Sequence, residues 1–261
     1  MPSIFKNKKI VILFSVILFL VIGGFCFWNL NLDKNDKGVS AAGESWYSSS
    51  WAYRKSLTIN NAGSIVGTTS GSPVLGSTGK IGTTINFDGT NDYVSIPDST
   101  DWDFPGDFTI DFWINSSSIS TYQFPLAHRN YSTWVGAWHF YIDGSKFNFS
   151  ASNNSGTAII QLFDTTTRLS NTWYHVAITR SGSEARMYVD GSLAVSDTSA
   201  SGEVSTDAST LDIGYLKNYG GYLNGKIDEI RISNNVRWTS SFIPSTVQYN
   251  VDSNTKLLFH L

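Results

Sequence analysis

Cysteine is nearly absent from this chain. Its single cysteine, Cys26, lies inside the hydrophobic run 10–28, so the remaining sequence cannot form an internal disulfide. Charge is also scarce: 15% of the 261 residues are charged, the net charge is -3, and the basic residues are scattered. This composition disfavours nucleic-acid binding. Because no internal disulfide can form, the stability of the folded chain must come from a hydrophobic core or a bound ion.

Side chains arranged for catalysis are also missing from the sequence. The four histidines have no metal-ligand spacing, and no nucleophile elbow or phosphate loop is present. The nearest carboxylate pairs are Asp107 with Asp111 and Asp228 with Glu229. The first pair includes no glutamate to act as a proton donor, and adjacent residues of a strand point to opposite faces. The sequence therefore predicts a protein that is not an enzyme.

One long apolar run dominates the N-terminal part. Residues 10–28 are 19 in number, and Ser15 is the only polar one. As a helix rising about 1.5 Å per residue, the run would reach roughly 28 Å, close to a bilayer core. Lysines precede it in residues 1–9, whereas the charges that follow it cancel. The positive-inside rule then predicts a cytoplasmic tail 1–9, a transmembrane signal-anchor 10–28 and an extracytoplasmic remainder.

A cleaved signal peptide is the alternative for this run, with Ser40–Ala42 as the possible cleavage site. The remainder of the chain would be exported in either case, membrane-anchored or secreted. Residues 29–50 are polar and rich in small residues, which predicts a flexible spacer. Residues 51–261 then form one domain.

Strand patterns fill that domain. Residues 171–195 indicate three strands joined by two tight turns, which we interpret as the middle of a large antiparallel sheet. Residues 107–115 alternate between apolar and polar side chains. Residues 84–87 and 93–96 flank the turn-rich DGTND and could form a hairpin, and residues 237–242 hint at a helical turn. Further strands are expected at 138–142, 147–149, 157–163, 210–216, 225–232 and 256–261. About a dozen short strands predict an all-β sandwich or barrel.

Six of these segments follow one another in a recognisable order: INFDGTNDYVSIP (85–97), DFTIDFWIN (107–115), NTWYHVAITR (171–180), ARMYVDGSLA (185–194), LDIGY (211–215) and GKIDEIRISNNVRW (225–238). Together they resemble the laminin-G-like, or concanavalin A-like, jelly-roll family, with core motifs over 81–245. The resemblance implies an all-β, two-sheet antiparallel sandwich. It also implies a concave surface and rim loops, which in many members bind sugars, proteins or calcium.

Two further segments flank these motifs in the sequence. Residues 51–60, WAYRKSLTIN, resemble the opening of a domain of unknown function found in exported proteins, and would supply an edge strand. Residues 255–261, TKLLFHL, either take the place of the family's first strand or begin a second domain.

The resemblance also implies one structural Ca²⁺. In related domains an aspartate of the late strand holds the ion with backbone carbonyls, and Asp228 matches that position. Asp88 is a further candidate by composition, since calcium prefers hard oxygen ligands. As alternatives, Asp88 caps a turn, and Asp228 pairs with Lys226 or Arg231.

A ligand site is expected in two loops, 128–138 and 215–223. They combine aromatic rings with amides, a guanidinium and glycines, as sugar binding requires. The candidate ligand-binding residues are Tyr131, Trp134, Tyr219 and Tyr222. In the alternative interpretation these rings belong to the core or cover a sheet edge.

These observations predict a non-catalytic, membrane-anchored recognition module outside the cytoplasm. Its expected partner is a polysaccharide or a cell-surface protein, not a nucleic acid. A stalk or spacer domain without ligand is the alternative, and a glycoside hydrolase ranks third.

Overall fold

Short segments of alternating hydrophobicity form strands throughout the described part of the chain. The structure, a computed structural model, describes residues 68–129, 132–204 and 208–260. Within these ranges the strands are β1 Thr68–Ser70, β2 Val74–Thr78, β3 Thr83–Asp88, β4 Tyr93–Ile96, β5 Phe108–Ser116, β6 Gln123–His128, β7 Trp138–Asp143, β8 Lys146–Ser152, β9 Ala158–Phe163, β10 Tyr174–Ser181, β11 Glu184–Val189, β12 Ser192–Asp197, β13 Leu211–Ile213, β14 Asn224–Ser233 and β15 Thr255–Phe259. A 3-10 helix, Thr100–Trp102, follows β4.

The strands form two antiparallel sheets. Sheet A has the order β1-β4-β13-β6-β7-β8-β9. Sheet B has the order β12-β11-β10-β5-β14-β3-β2, and β15 pairs with β14 beside this path. The predicted all-β, two-sheet antiparallel sandwich is confirmed, and it is consistent with a jelly roll.

The core lies between the two sheets, as the alternation in β5 predicts. Phe108, Ile110, Phe112 and Ile114 are each at most 1% exposed and face sheet A. The Phe112 ring meets that of Phe140 from sheet A edge-on, with centroids 5.1 Å apart. Burying each such side chain contributes about 1.5–3 kcal/mol to the free energy of unfolding.

The hairpin expected across DGTND is wrong. Strand β3 pairs with β2 and β14 in sheet B, whereas β4 pairs with β1 and β13 in sheet A. A carboxylate stabilises the connection that passes from β3 in sheet B to β4 in sheet A. Asp92 accepts the backbone N–H of Asp88 at 3.0 Å and that of Ser72 at 2.6 Å, which satisfies amides that a sheet ladder would otherwise pair.

Two other expectations need correction. The strands of 171–195 form a meander, β10-β11-β12, at one side of sheet B, and β12 is its edge strand, not the middle of the sheet. Residues 237–242 form no helical turn; Trp238 stacks on Phe242 instead, with ring centroids 4.0 Å apart.

The C-terminal strand lies in the sandwich. β3 pairs with residues 224–227 of β14, and β15 pairs with residues 230–233. Before β15, residues 234–254 cross the outer face of sheet B, where Phe242 contacts the rings of His175 and Tyr188. We call this segment the C-terminal wrap. It covers one outer face, whereas the outer face of sheet A carries the site described below.

The predicted tail 1–9, anchor 10–28, spacer 29–50 and strand 51–60 lie outside the described residues. Among the residues that are described, no helix combines the length and hydrophobicity that a bilayer crossing requires.

Candidate ligand-binding site

Strand β7 is aromatic on both of its faces. Trp138 and Phe140 point into the core, so His139 and Tyr141 point outward from sheet A. Their ring centroids are 5.1 Å apart, and the Phe124 ring on neighbouring β6 lies 5.5 Å from His139 and 6.0 Å from Tyr141. The outer face of sheet A therefore begins with three adjoining rings.

The two loops singled out in the sequence add two more rings, and the segment before β6 adds a third. Trp134 lies 5.2 Å from His139, and Tyr219 lies 5.4 Å from Phe124. Tyr122, which precedes β6, stacks on Tyr141 at 5.3 Å. We call these rings the aromatic face: Tyr122, Phe124, Trp134, His139, Tyr141 and Tyr219.

Part of the aromatic face is open to solvent. Tyr122 is 40% exposed and Tyr219 is 46% exposed, whereas Trp134 and Tyr141 are half-buried. Flat rings that are fixed by their neighbours yet reachable from solvent can stack on the apolar face of a ligand.

Polar groups accompany these rings. The Arg129 guanidinium lies 4.4 Å from the centre of the Trp134 ring, a cation–π geometry. Burial raises the pKa of Tyr122 to about 12 and also raises the pKa of Tyr141, so both phenols stay neutral. Burial, together with the nearby charge of Arg129, lowers the pKa of His139 to about 3. The site therefore offers neutral hydroxyl and imidazole groups beside one cation.

A second, smaller group of rings lies on the same sheet. Tyr93 stacks on Tyr215 at 4.5 Å, and Tyr215 stacks on Tyr222 at 5.1 Å. The structure thus brings Trp134 and Tyr219 to one aromatic face and places Tyr222 in this separate stack. Tyr131 lies outside the described residues.

Sequence reasoning missed Tyr122, Phe124, His139, Tyr141 and the strand β6. Pro125 argued against a strand there, because proline has no backbone N–H to donate to the hydrogen bonds between strands. The structure accommodates it with a bulge between Gln123 and Leu126. The alternating sequence WHFYID of β7 was the available signal, since aromatic residues on both faces imply that the outer face is also a contact surface.

A sequence comparison identifies the family. The profile described as the concanavalin A-like lectin/glucanases superfamily matches residues 88–240, more than half of the chain. The chain belongs to this superfamily. The resemblance inferred from the six motifs is therefore confirmed. No curated protein sequence matches the chain.

Solved structures agree with a concanavalin A-like fold. The binding domain of Paraclostridial Mosquitocidal Protein 1 has a TM-score of 0.56 at 15% identity, over 66% of this chain and 44% of that chain. The receptor binding domain of botulinum neurotoxin C/D mosaic serotype has a TM-score of 0.54 at 15% identity, over 72% and 49%. A proposed carbohydrate binding protein from Bacteroides ovatus has a TM-score of 0.54 at 18% identity, over 67% and 50%.

These matches limit what can be transferred to this chain. It spans half or less of the length of each of these structures. At 15–18% identity, the likeness shows the fold alone.

In this concanavalin A-like domain, Asp228 lies beneath the turn between β2 and β3. Its Oδ2 accepts the backbone N–H groups of Lys80 and Ile81, both at 2.8 Å, whereas its Oδ1 is buried without a hydrogen-bond partner. Burial raises the pKa of Asp228 to about 6, and the nearby charge of Glu229 also raises it. Oδ1 is thus the atom available to a cation.

A calcium ion there would need other ligands as well, since Ca²⁺ takes six to eight oxygens. The described residues hold no group of three or more His, Cys, Asp or Glu side chains suited to a metal. Backbone carbonyls would have to complete the set. Asp88 does not contribute, because it lies at the far end of β3, where its Oδ1 accepts the N–H groups of Thr90 at 2.8 Å and Asn91 at 3.3 Å.

Asp88 therefore caps a turn, as the alternative interpretation expected. The alternative for Asp228 is wrong. Lys226 donates to the Thr78 carbonyl at 3.3 Å, and Arg231 pairs with Asp111.

The acids considered for hydrolysis are held by other bonds. Asp107 accepts the Gly182 N–H at 2.8 Å, and Asp111 forms a buried pair with Arg231. Glu229 accepts from the Tyr249 N–H at 3.0 Å and lies 2.7 Å from His260 Nδ1. Asp107 is thus exposed and bonded to a turn, whereas Asp111 and Glu229 are buried and paired with other side chains.

Proposed function

We propose that this chain is a non-catalytic recognition module that binds a glycan on the aromatic face. One observation carries the proposal: two loops distant in sequence and the segment before β6 meet two strands of sheet A, and together they hold six rings side by side, partly open to solvent. A pyranose offers an apolar face for stacking and hydroxyls for the neighbouring polar groups.

Polar side chains next to the rings favour a glycan as the ligand. Asn148 and Ser150 on β8 pair in register with Tyr141 and His139, so they border the aromatic face. Both are largely buried, at 6% and 7% exposure, and together with the neutral phenols they supply short, fixed hydrogen-bonding groups. Similar folds described as a receptor binding domain and as a proposed carbohydrate binding protein are consistent with this use.

The absence of catalysis is part of the proposal. Glycoside hydrolysis needs two carboxyl groups facing each other across the sugar, about 5–9.5 Å apart. The exposed Asp143 lies close enough to Tyr122 and Tyr141 to raise their pKa values, whereas Asp212 is buried on β13, two strands away from β7. We expect no release of reducing ends from polysaccharide by the pure chain.

Binding of the full chain to cell-wall polysaccharides and a glycan array tests the proposal. We expect saturable binding that is weakened about tenfold in Trp134→Ala and in Tyr219→Ala, since a ring contact is worth about 0.5–1.5 kcal/mol. Ile243→Ala, a 93% exposed position on the C-terminal wrap, is the matched control and should bind as the wild type. A folded chain that binds no glycan would favour a spacer domain or a protein partner.

We propose one structural Ca²⁺ at Asp228, using its unpartnered Oδ1 and backbone carbonyls. The melting temperature should then rise by several degrees in calcium relative to chelator, and Asp228→Asn should abolish the difference. Asp88→Asn, which leaves a turn cap of similar shape, should retain it. Equal melting temperatures with and without calcium in the wild type would contradict the ion.

We propose that residues 10–28 anchor the module in a membrane with the domain outside the cytoplasm, and that secretion after cleavage is the alternative. Membrane fractionation with alkaline extraction, followed by protease treatment of intact cells, tests both. An anchored module remains in the extracted membranes and is digested from outside. Recovery of a shorter chain in the medium would favour cleavage.

A further inference from the structure

A row of outward-pointing residues crosses sheet A beside the aromatic face. Asp212 on β13 pairs in register with Ala127 on β6, and Ala127 pairs with His139 on β7. The neighbours of these residues along their strands lie in the core, so all three point outward. With strands about 4.8 Å apart, the carboxyl and the imidazole stand on either side of the small Ala127, roughly 10 Å apart between backbones.

Both ends of this row carry an unused polar atom. Asp212 Oδ1 accepts from the hydroxyls of Ser95 at 2.6 Å and Thr210 at 2.8 Å, but Oδ2 is buried without a hydrogen-bond partner. His139 Nδ1 is likewise buried without one. The two residues are only 1% and 5% exposed. An unmade buried hydrogen bond costs about 1–3 kcal/mol, so two of them in one row require an explanation.

A leucine from a loop covers the gap between them. Leu216 is fully buried, and it packs with Ala127, Phe124 and Tyr141 in a small apolar cluster that is separate from the main core. An apolar side chain packed on Ala127, the residue between Asp212 and His139, offers neither polar atom a hydrogen-bond partner.

The loop that carries Leu216 contains hydrogen bonds of its own. Leu216 and Gly220 exchange two backbone hydrogen bonds of 3.0 Å, and the Asn218 N–H donates to the Tyr215 hydroxyl. Gly214 donates to the Pro125 carbonyl and Gly221 accepts from the Phe124 N–H, the two bonds that fix the loop to the bulged strand β6. Gly214 and Gly221, at the two ends of the loop, both have positive φ, 87° and 62°, which glycine adopts without strain.

We propose that Asp212 is a further ligand-contacting residue of the glycan site, that His139 of the aromatic face contacts the ligand through Nδ1, and that Leu216 is a plug that the ligand displaces. The inference rests on the proposed function and names its ligand more closely. The ligand is a sugar ring whose apolar face takes the place of Leu216 over Ala127. One hydroxyl of the ring donates to Asp212 Oδ2, and another group hydrogen-bonds to His139 Nδ1.

Removal of the plug tests the proposal with defined probes. Full-length wild type and Leu216→Ala are titrated calorimetrically with cello-, xylo- and manno-oligosaccharides. We expect Leu216→Ala to bind the oligosaccharides at least about fivefold more tightly, because the ligand no longer has to displace the Leu216 side chain. Adding Asp212→Ala should cancel the gain. Leu223→Ala, a fully buried leucine of the same loop that packs in the main core, should lower the melting temperature without tightening binding.

A second measurement needs no ligand. The NMR titration of His139, assigned with His139→Gln, should show a ring that stays neutral far below pH 6.5 in the wild type and in Leu223→Ala. In Leu216→Ala the titration should move toward pH 6.5, because water reaches the ring. A titration unchanged in Leu216→Ala would overturn the plug, whatever the binding data show.

The two proposals therefore fail separately. If neither wild type nor Leu216→Ala binds any saccharide while the His139 titration moves, Leu216 covers His139, but glycan binding and the ligand contacts that rest on it are contradicted. If wild type binds but Leu216→Ala binds no more tightly and its His139 titration is unchanged, glycan binding stands and the plug is overturned.

Discussion

At the scale of single residues, one buried ion pair joins two neighbouring strands of sheet B, β14 and β5. Arg231 Nε lies 2.9 Å from Asp111 Oδ1, and its Nη2 lies 3.0 Å from Oδ2. The guanidinium also lies 3.7 Å from the centre of the Tyr249 ring, and His175 Nε2 is 3.0 Å from the Tyr249 hydroxyl. Burial alone would raise the pKa of Asp111, but His175 and Arg231 hold it below its usual value.

Asp111→Ala should lower the free energy of unfolding by about 3–5 kcal/mol, because it leaves Arg231 buried without its counter-charge. Asp111→Leu combined with Arg231→Met should recover much of the loss. Asp252→Ala is the control: it removes a half-exposed partner of Arg237 and should cost about 1 kcal/mol or less. Urea unfolding measures all three, and equal losses for Asp111→Ala and Asp252→Ala would contradict the account.

His139 predicts a pH dependence of stability. Its pKa is lowered to about 3 in the folded chain from 6.5. The unfolded chain therefore binds a proton first as the pH falls, and stability is lost between pH 6.5 and 3, on the order of 4 kcal/mol in all. Unfolding measured at several pH values should show a shallower decline in His139→Gln. Parallel curves for the two proteins would show that His139 is not responsible.

At the scale of elements, the turn between β11 and β12 holds the C-terminal wrap. The Gly191 carbonyl accepts the Phe242 N–H at 2.9 Å, and Gly191 has a φ of 76°. A Cβ at Gly191 would overlap the Phe242 carbonyl, whereas a Cβ at Gly182, with a φ of 58°, would meet nothing within 4 Å. The two glycines thus share a backbone conformation and differ in their contacts.

This difference gives a matched pair of variants. Gly182→Ala should destabilise by about 1–2 kcal/mol, the strain of a left-handed residue alone. Gly191→Ala should cost more than about 3 kcal/mol and increase hydrogen exchange in residues 234–254, because the wrap must move away. Equal effects of the two substitutions would mean that the wrap does not depend on this turn.

Strands that a local sequence pattern defines could be predicted from the sequence. The strands they pair with could not. The alternation in β5 correctly predicted that Phe108, Ile110, Phe112 and Ile114 share one face, which is the core face. The strands on either side of DGTND were also found, but their separation into two sheets depends on Asp92 bonding to backbone 20 residues away. No local pattern carries that information.

At the scale of the whole molecule, the sandwich presents two unlike outer faces. The C-terminal wrap covers sheet B, and the aromatic face lies on sheet A. The sequence identified the loops that carry Trp134 and Tyr219, because rings and glycines cluster there. It did not identify Tyr122, Phe124 or His139, whose role depends on strand order.

The proposed function places the ligand on sheet A, at the aromatic face. The most direct measurement is oxidative footprinting of the full chain with and without a saturating polysaccharide, read by mass spectrometry. The account predicts protection of Tyr122, Trp134 and Tyr219, with Trp238 on the C-terminal wrap unchanged. Protection of Trp238 with continued oxidation of those three rings would contradict it.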